Sequence, residues 1–490
     1  MSVIDQSSPA GAAAADSSPP PSWVPLLKRL HFYAGILIAP FLLVATITGG
    51  LYAVAPTVEK FVYTDLLTTD SSGSPAPLAD QVRAAQQRFP DLTVSAVRPP
   101  ASAGETTRVL FTDNTLGTSE RRAVFVDPVS TEVVGDSVSY GSAAALPLRT
   151  WLSGLHRNLH LGEPGRLYSE LAASWLWVVA LGGLALWVAR YRITRRNNRD
   201  RARLLTVDRS AGGRSRNLNW HGALGIWIAV GLVMLSATGL TWSRYAGENV
   251  AQLRTSLNWT TPSLNTDLTK APTAPSGGGH GHGHSTPTTG TDSAVTAQNV
   301  ERLDAVLAAA RGAGVVDAVE VSIPPSEHTA FTVTEVRRAW QVSPNSAAVD
   351  GATGAVTEVS WFADWPLAAK LTTWGIALHM GLLFGLTSQL ALAALAVALV
   401  VVIVRGYVMW WQRRPRNRSR RGERRGGGYR VGRPPVRGAW RRVPVGAGVV
   451  GVVAVGVAGW FLPLLGIPLL VFLVFDSATG VWSRYRTPAK

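Results

Sequence analysis

HFYAGILIAPFLLVATITG, residues 31–49, returns as HGALGIWIAVGLVMLSATG at residues 221–239. His31, Gly35, Ile36, Ile38, Ala39, Leu42, Thr48 and Gly49 fall, without a gap, on His221, Gly225, Ile226, Ile228, Ala229, Leu232, Thr238 and Gly239. Apolar matches arise between any two membrane helices, but histidine and glycine in register do not. A second stretch repeats as well. Pro147-Leu148, Leu159-His160-x-Gly162 and Ser169-Glu170-Leu171 fall on Pro366-Leu367, Leu378-His379-x-Gly381 and Ser388-Gln389-Leu390. Each half therefore enters the bilayer on one helix and returns on another. Two halves that start on the same side are parallel repeats about an axis along the membrane normal.

The rest of the composition agrees with a polytopic membrane protein. The apolar residues collect in blocks such as Ile36–Ala55, Leu224–Leu240 and Leu390–Val404, long enough for a hydrocarbon core of roughly 30 Å. The formal charge of +16 is not spread as a nucleic-acid binder's would be. Ten arginines lie between Arg190 and Arg216 and thirteen between Arg413 and Arg442, beside helix ends. That is the positive-inside pattern, so nucleic acid is excluded as a partner. With no cysteine, disulfides, iron–sulfur clusters and thiolate zinc sites are excluded too. Lys28-Arg29 precede the first apolar run with no small-residue cleavage site, so that run reads as a retained helix.

The expected organisation is a disordered tail over 1–25, a transmembrane helix over 26–56, an outer domain over 57–145 and an exit helix over 146–190. A basic cytoplasmic loop over 191–217 leads to a third helix over 218–243, a second outer domain over 244–364 and an exit helix over 365–411. A basic cytoplasmic segment over 412–443 precedes an apolar stretch over 444–478, read as a hairpin broken at Pro463. Within the outer domains, Leu78–Arg88 and Val300–Arg311 have helical patterns. Thr107–Thr112, Ala123–Val126, Val319–Ile323 and Ala330–Val336 alternate as strands do. The segment 272–290 is a low-complexity linker. Its His280, His282 and His284 alternate with glycine, which suits either a plain tether or capture of copper or zinc.

Nine histidines occur, and the repeat singles out His31, His221, His160 and His379. Ionisable groups in membrane segments are costly and usually face the bundle interior, where they act. His31 and His221 open their helices near the cytoplasmic face. His379 lies 26 residues before Arg405, about 39 Å of helix away and so near the outer face. An inner pair and an outer pair result. Two neutral imidazoles facing each other in an apolar bundle suit a b-type haem, one on each axial side, with Gly35, Gly225, Gly162 and Gly381 as gaps for the porphyrin. The plainer alternative is that the histidines cap helix starts or bond nearby carbonyls. Transport of zinc or iron competes too, but Asp476 and Glu170 are isolated carboxylates, and hard cations want oxygen ligands. His156, one turn before His160, shares its helical face. The other half has Gly375 there, so the repeat nominates His160 as ligand and leaves His156 to swap in, assist substrate or simply hydrogen-bond. An aromatic belt accounts for most of the eighteen tryptophans.

With His31, the run Leu155-His156-Arg157-Asn158-Leu159-His160-Leu161-Gly162, the opening Asn219-Trp220-His221 and Leu378-His379-Met380-Gly381 in view, the chain resembles the PepSY-associated transmembrane family. That family includes iron-regulated membrane proteins and siderophore-linked ferric reductases. Ala123-Val124-Phe125-Val126-Asp127-Pro128, closed by Gly135, resembles the end of a PepSY domain. Ala348–Gly354 keeps only the Asp and Gly landmarks of a second. The resemblance runs from about residue 25 to 415. It implies a membrane α-helical bundle of two parallel repeats, four core transmembrane helices and the C-terminal hairpin, carrying two extracytoplasmic α+β PepSY-like domains in the inner (cytoplasmic) membrane. The function it implies is a dihaem oxidoreductase with two bis-histidine b haems, which reduces ferric siderophores or other ferric chelates at the outer face. No G-x-G-x-x-G opens a helix in the cytoplasmic segments, so the electrons must come from a separate cytoplasmic reductase or from quinol. Two alternatives stand beside this reading. One is a non-catalytic PepSY module that binds peptide or regulates a protease; the other is a metal or siderophore permease.

Overall fold

The computed structural model describes residues 23–199, 202–269, 293–413, 435 and 443–485. The expected disordered tail lies almost wholly outside these, as do the whole of the linker 272–290 and most of the basic segment 412–443.

The first apolar run folds as two helices, α1 (Val24–Leu37) and α2 (Ala39–Val62), not one. Pro40 is the cause. It has no N–H, and its ring crowds the carbonyl four residues back, which is that of Ile36. The freed carbonyl accepts a hydrogen bond from the Tyr407 hydroxyl at 3.0 Å. A single-turn α3 (Thr64–Leu67) and α4 (Leu78–Arg88) follow. The strands β1 (Thr93–Arg98), β2 (Thr107–Thr112), β3 (Glu120–Val126) and β4 (Val133–Tyr140) come next. The exit segment is again two helices, α5 (Pro147–Asn158) and α6 (Glu163–Asn197). Leu159, His160 and Gly162, at φ of 54°, 55° and 63°, turn the chain left-handed between them, which the apolar pattern of the sequence had concealed.

In the second half, α7 (Gly213–Leu240) runs unbroken because Val230 stands where the first half has Pro40. It begins at Gly213, ahead of the expected start at 218. After α7 come α8 (Tyr245–Ser256), α9 (Ser293–Glu301) and α10 (Leu303–Gly312). The strands β5 (Val319–Ser322), β6 (Phe331–Glu335), β7 (Ser346–Val349) and β8 (Val356–Ser360) follow. The return is once more split, into α11 (Leu367–His379) and α12 (Leu386–Trp411), with Gly381 and Gly385 at positive φ. Among the described residues, α2, α6, α7 and α12 are long and apolar enough to cross a membrane. The last two helices, α13 (Val445–Phe461) and α14 (Pro463–Tyr485), turn at Leu462. Asp476 of α14, read from sequence as isolated, forms a buried ion pair with Arg29 of α1. Removing one partner of such a pair strands the other charge, at about 3–5 kcal/mol. Glu170 is not isolated either. Buried on α6, it accepts from the backbone N–H groups of Arg244, Tyr245 and Ala246 at 2.8, 3.1 and 2.9 Å. It thereby caps the start of α8, where orphan N–H groups and the helix dipole favour an anion.

The two outer segments, expected as separate domains, pool their strands into one antiparallel sheet of eight, ordered β4-β3-β2-β1-β5-β6-β7-β8. One face buries Val109, Phe111, Val124, Phe331 and Val333 under α4 and α10, through Val82, Leu303 and Val306. The other face, with Leu110, Ala123 and Phe125, packs on Leu146 at the head of α5. The seam is the pairing of Ala96 and Val97 with Ser322 and Val321. Glu320 of β5 clamps it, reaching Arg98 at 2.5 Å and Arg121 at 2.9 Å.

Burial alone would raise the Glu320 carboxyl, but Arg98 and Arg121 more than offset it and hold the group at about 2. An unfolded glutamate titrates near ~4.3. The folded value is the lower one, so the carboxylate contributes stability above ~4.3 that is lost as pH falls through about 2, at most about 3 kcal/mol. Glu320→Gln is therefore expected to lower the melting temperature of the sheet near neutrality. The gap to wild type should narrow as pH falls from ~4.5 toward 2, as followed by circular dichroism.

Candidate functional site

Helix α1 carries His31 and α7 carries His221; their ring centres stand 6.3 Å apart. Helix α5 carries His156 and α11 ends on His379; these ring centres are also 6.3 Å apart. His31 precedes Thr48 by 17 residues, and His221 precedes Thr238 by 17. Thr48 touches His156 and Thr238 touches His379. At 1.5 Å per residue the two pairs therefore sit at levels about 26 Å apart along the bundle.

Three of the four imidazoles are oriented through their Nδ1 side. The Thr48 hydroxyl donates to the Val44 carbonyl at 2.8 Å, and that of Thr238 to Met234 at 2.8 Å. With its one proton committed, each threonine oxygen accepts from the histidine beside it, at 3.1 Å for His156 Nδ1 and 2.7 Å for His379 Nδ1. His221 Nδ1 meets the Val402 carbonyl at 2.9 Å, which can only accept. Three of the four rings thus carry their proton on Nδ1 and keep the Nε2 lone pair for a ligand, the arrangement seen where an outer partner sets a metal-binding histidine. The fourth, His31, has a buried Nδ1 without a hydrogen-bond partner.

Glycines make the room. A Cβ on Gly49 would stand 2.9 Å from the His156 ring, and one on Gly183 would stand 3.0 Å from that of His31. Gly35 and Gly225, expected as gaps, do open onto free space, since a Cβ there would meet nothing within 4 Å. Gly162 and Gly381 instead serve the helix breaks.

His160 is not where the repeat register put it. Measured from the matched prolines, α11 stays helical through His379, 13 residues past Pro366, whereas α5 stops at Asn158, 11 past Pro147. His160 falls in the left-handed turn beyond. There its exposed ring stacks on Trp151 with centres 5.3 Å apart, and its Nε2 donates to the Trp151 carbonyl at 2.9 Å. Both its location and its committed Nε2 remove it from the pair, and His156 takes the place opposite His379. The match of Thr48-Gly49 to Thr238-Gly239 was the sequence signal for this. It pointed to the two residues that hold the ring rather than to the ring itself. His280, His282 and His284 lie outside the described residues.

Metal–imidazole bonds of about 2 Å, one on each side of a single ion, bring two ring centres to about 6 Å, the separation in both pairs. Two imidazoles are too few for a bare structural or transported ion, which takes four or more ligands. Among the described residues no group of three or more His, Cys, Asp or Glu gathers to hold a metal. The donor sets therefore suit a metal whose other positions are filled from a macrocycle, and porphyrin is the one that axial histidines serve.

Known proteins bear on the whole of this architecture. No curated protein matches the chain. The family model described as the PepSY-associated TM region matches residues 28–413, a span holding both histidine pairs, all eight strands and the four membrane-capable helices. The chain belongs to the PepSY-associated TM region family and is a membrane protein.

Proposed function

We propose that this protein is a transmembrane electron conduit holding two b-type haems, one between His31 and His221 and one between His156 and His379. Its task is to reduce ferric siderophores or other ferric chelates on the sheet side of the membrane. The observation that carries the reading is the double pairing of imidazoles, each pair at 6.3 Å, with Nδ1 held from outside in His156, His379 and His221. When bound, haem supplies one-electron redox chemistry, which soluble cofactors cannot carry across a bilayer.

The chain's own residues do the rest. Thr48, Thr238 and the Val402 carbonyl hold the rings so that no reorganisation accompanies a change of charge at the ligand. Apolar residues of α2, α6, α7 and α12 keep water from the space between the two levels. Arginines at the other end of α6 and at the start of α7 favour a cytoplasmic position for that end by the positive-inside rule. They also offer a basic surface to an acidic reductase. The sheet then lies outside, above His156 and His379, where a chelate too large to cross the bilayer can be met. Siderophore oxygens are hard ligands that hold Fe(III) better than Fe(II), so reduction there releases the metal.

A permease would need ligands that neither pair has. A peptide-binding anchor would leave the matched imidazoles, their threonines and their glycines without a task. In vesicles, dithionite-reduced protein is expected to be reoxidised by a ferric chelate, with Fe(II) appearing in a ferrous trap, and His379→Ala is expected to abolish both signals. Reduced protein that no ferric or cupric chelate oxidises, but that a quinone does, would overturn the ferric assignment.

A further inference from the structure

The face of the sheet domain above the second pair is not smooth. A groove of about 520 Å³ runs between the β1–β2 connection at Pro99 and Pro100, the end of α10 at Arg311 and the β6–β7 connection at Arg338, Trp340 and Gln341. That is within the range of pockets that take a small ligand. Arg338 and Gln341 also line a narrow recess that continues inward past Arg337 to Ala377, Leu382 and Leu383. Ala377 stands two residues before His379 on α11, and Leu382 three after it. The groove thus borders a recess of only about 10 Å³ whose inner wall belongs to the helix that carries His379.

Three features mark this groove as built for a ligand. Gln341 Nε2 is buried without a hydrogen-bond partner, which is costly unless something accepts from it. Trp340 is two-thirds exposed and held at φ 70°, a conformation rare for a bulky residue and one that clusters at ligand sites. Its N–H is fixed by the Leu383 carbonyl at 2.8 Å, and its ring leans on Phe384 with centres 5.1 Å apart. Finally, Arg311, Arg337 and Arg338 line the groove and recess against Asp317, and Glu105 is engaged by Arg338 at 2.5 Å. Three guanidinium groups against two carboxylates leave the lining cationic.

We infer that this groove is the docking site for the ferric chelate, and that it selects anionic chelates over neutral or cationic ones. The outward carboxylate or phenolate oxygens of the chelate accept from Arg311, Arg338 and Gln341, in charge-assisted and partly bidentate bonds. Its ring or backbone lies on the Trp340 indole. Arg337, in the small recess behind the groove, adds positive charge on the side of the His379 end of α11. This assignment rests on the ferric-chelate reading above, but it can be tested without any electron transfer, because Ga(III) copies the size and charge of Fe(III) and is not reduced.

The experiment is equilibrium dialysis of the full-length protein in nanodiscs against Ga(III)–citrate, which is anionic, and Ga(III)–desferrioxamine B, which is cationic. The expected result is saturable binding of the citrate complex, at least tenfold tighter than that of the desferrioxamine complex. Arg311→Gln and Trp340→Ala are each expected to weaken the citrate complex about tenfold while leaving the circular-dichroism melt in place. Arg311 is exposed and makes no ion pair among the described residues, so its loss does not confuse binding with folding. Absence of saturable citrate binding, equal affinity for the two complexes, or full affinity in both variants would overturn the groove. If Ga(III)–citrate binds as expected and its ferric counterpart is not reduced, the groove stands and the reductase reading fails.

Discussion

His156→Ala is expected to halve the haem content of the purified protein, from about two per chain to about one, whereas His160→Ala should keep both. The reason lies in one turn of helix. His156 stands on α5 with its Nδ1 at Thr48 and its ring against Gly49, 6.3 Å from His379. His160 stands past the helix end with its Nε2 given to the Trp151 carbonyl. A ring that cannot turn a free Nε2 inward cannot replace one that does. Thr48→Val should be milder, since it removes an orienting partner and not a ligand, and such losses typically cost 10–100-fold in affinity. Haem per chain, read from the pyridine haemochrome spectrum, checks all three. Loss of haem from His160→Ala with retention in His156→Ala would restore the register read from the repeat.

Much of the fold was legible in the sequence because local pattern decided it. Leu78–Arg88 is α4 and Thr107–Thr112 is β2, residue for residue, since period 3.6 and period 2 were both clear there. The four membrane-capable helices followed from length and hydropathy. What was missed depended on contacts distant in sequence or on single residues within apolar runs. The seam between Ala96-Val97 and Val321-Ser322 joins strands more than two hundred residues apart, and nothing in either strand announces its partner. Short strands such as β7, Ser346–Val349, are too small-residue-rich to stand out. Pro40 was visible, but its effect was masked by the apolar residues around it.

For the site, the repeat singled out the helices that carry the two imidazole pairs and three of the four paired rings. It put His160 where the structure has His156, because residue matching cannot see that α5 ends two residues sooner than α11. Asp476 was misread as isolated because its partner, Arg29, lies 447 positions away.

The inner pair bears the second large expectation. His31→Ala and His221→Ala should each remove one haem and leave the other, because the two levels are about 26 Å apart along the bundle and share no ligand. Removal of either ring would leave one imidazole of the pair to hold the group. His31, whose Nδ1 has no partner, and His221, held by the Val402 carbonyl, are expected to behave alike in haem count. The most direct measurement is therefore haem stoichiometry with low-temperature electron paramagnetic resonance on the wild-type protein and these two variants. The expected result is about two low-spin, bis-imidazole b haems per wild-type chain and about one in each variant. Wild-type protein that carries no haem when haem is supplied, or variants that keep the full complement, would contradict the assignment of these histidines.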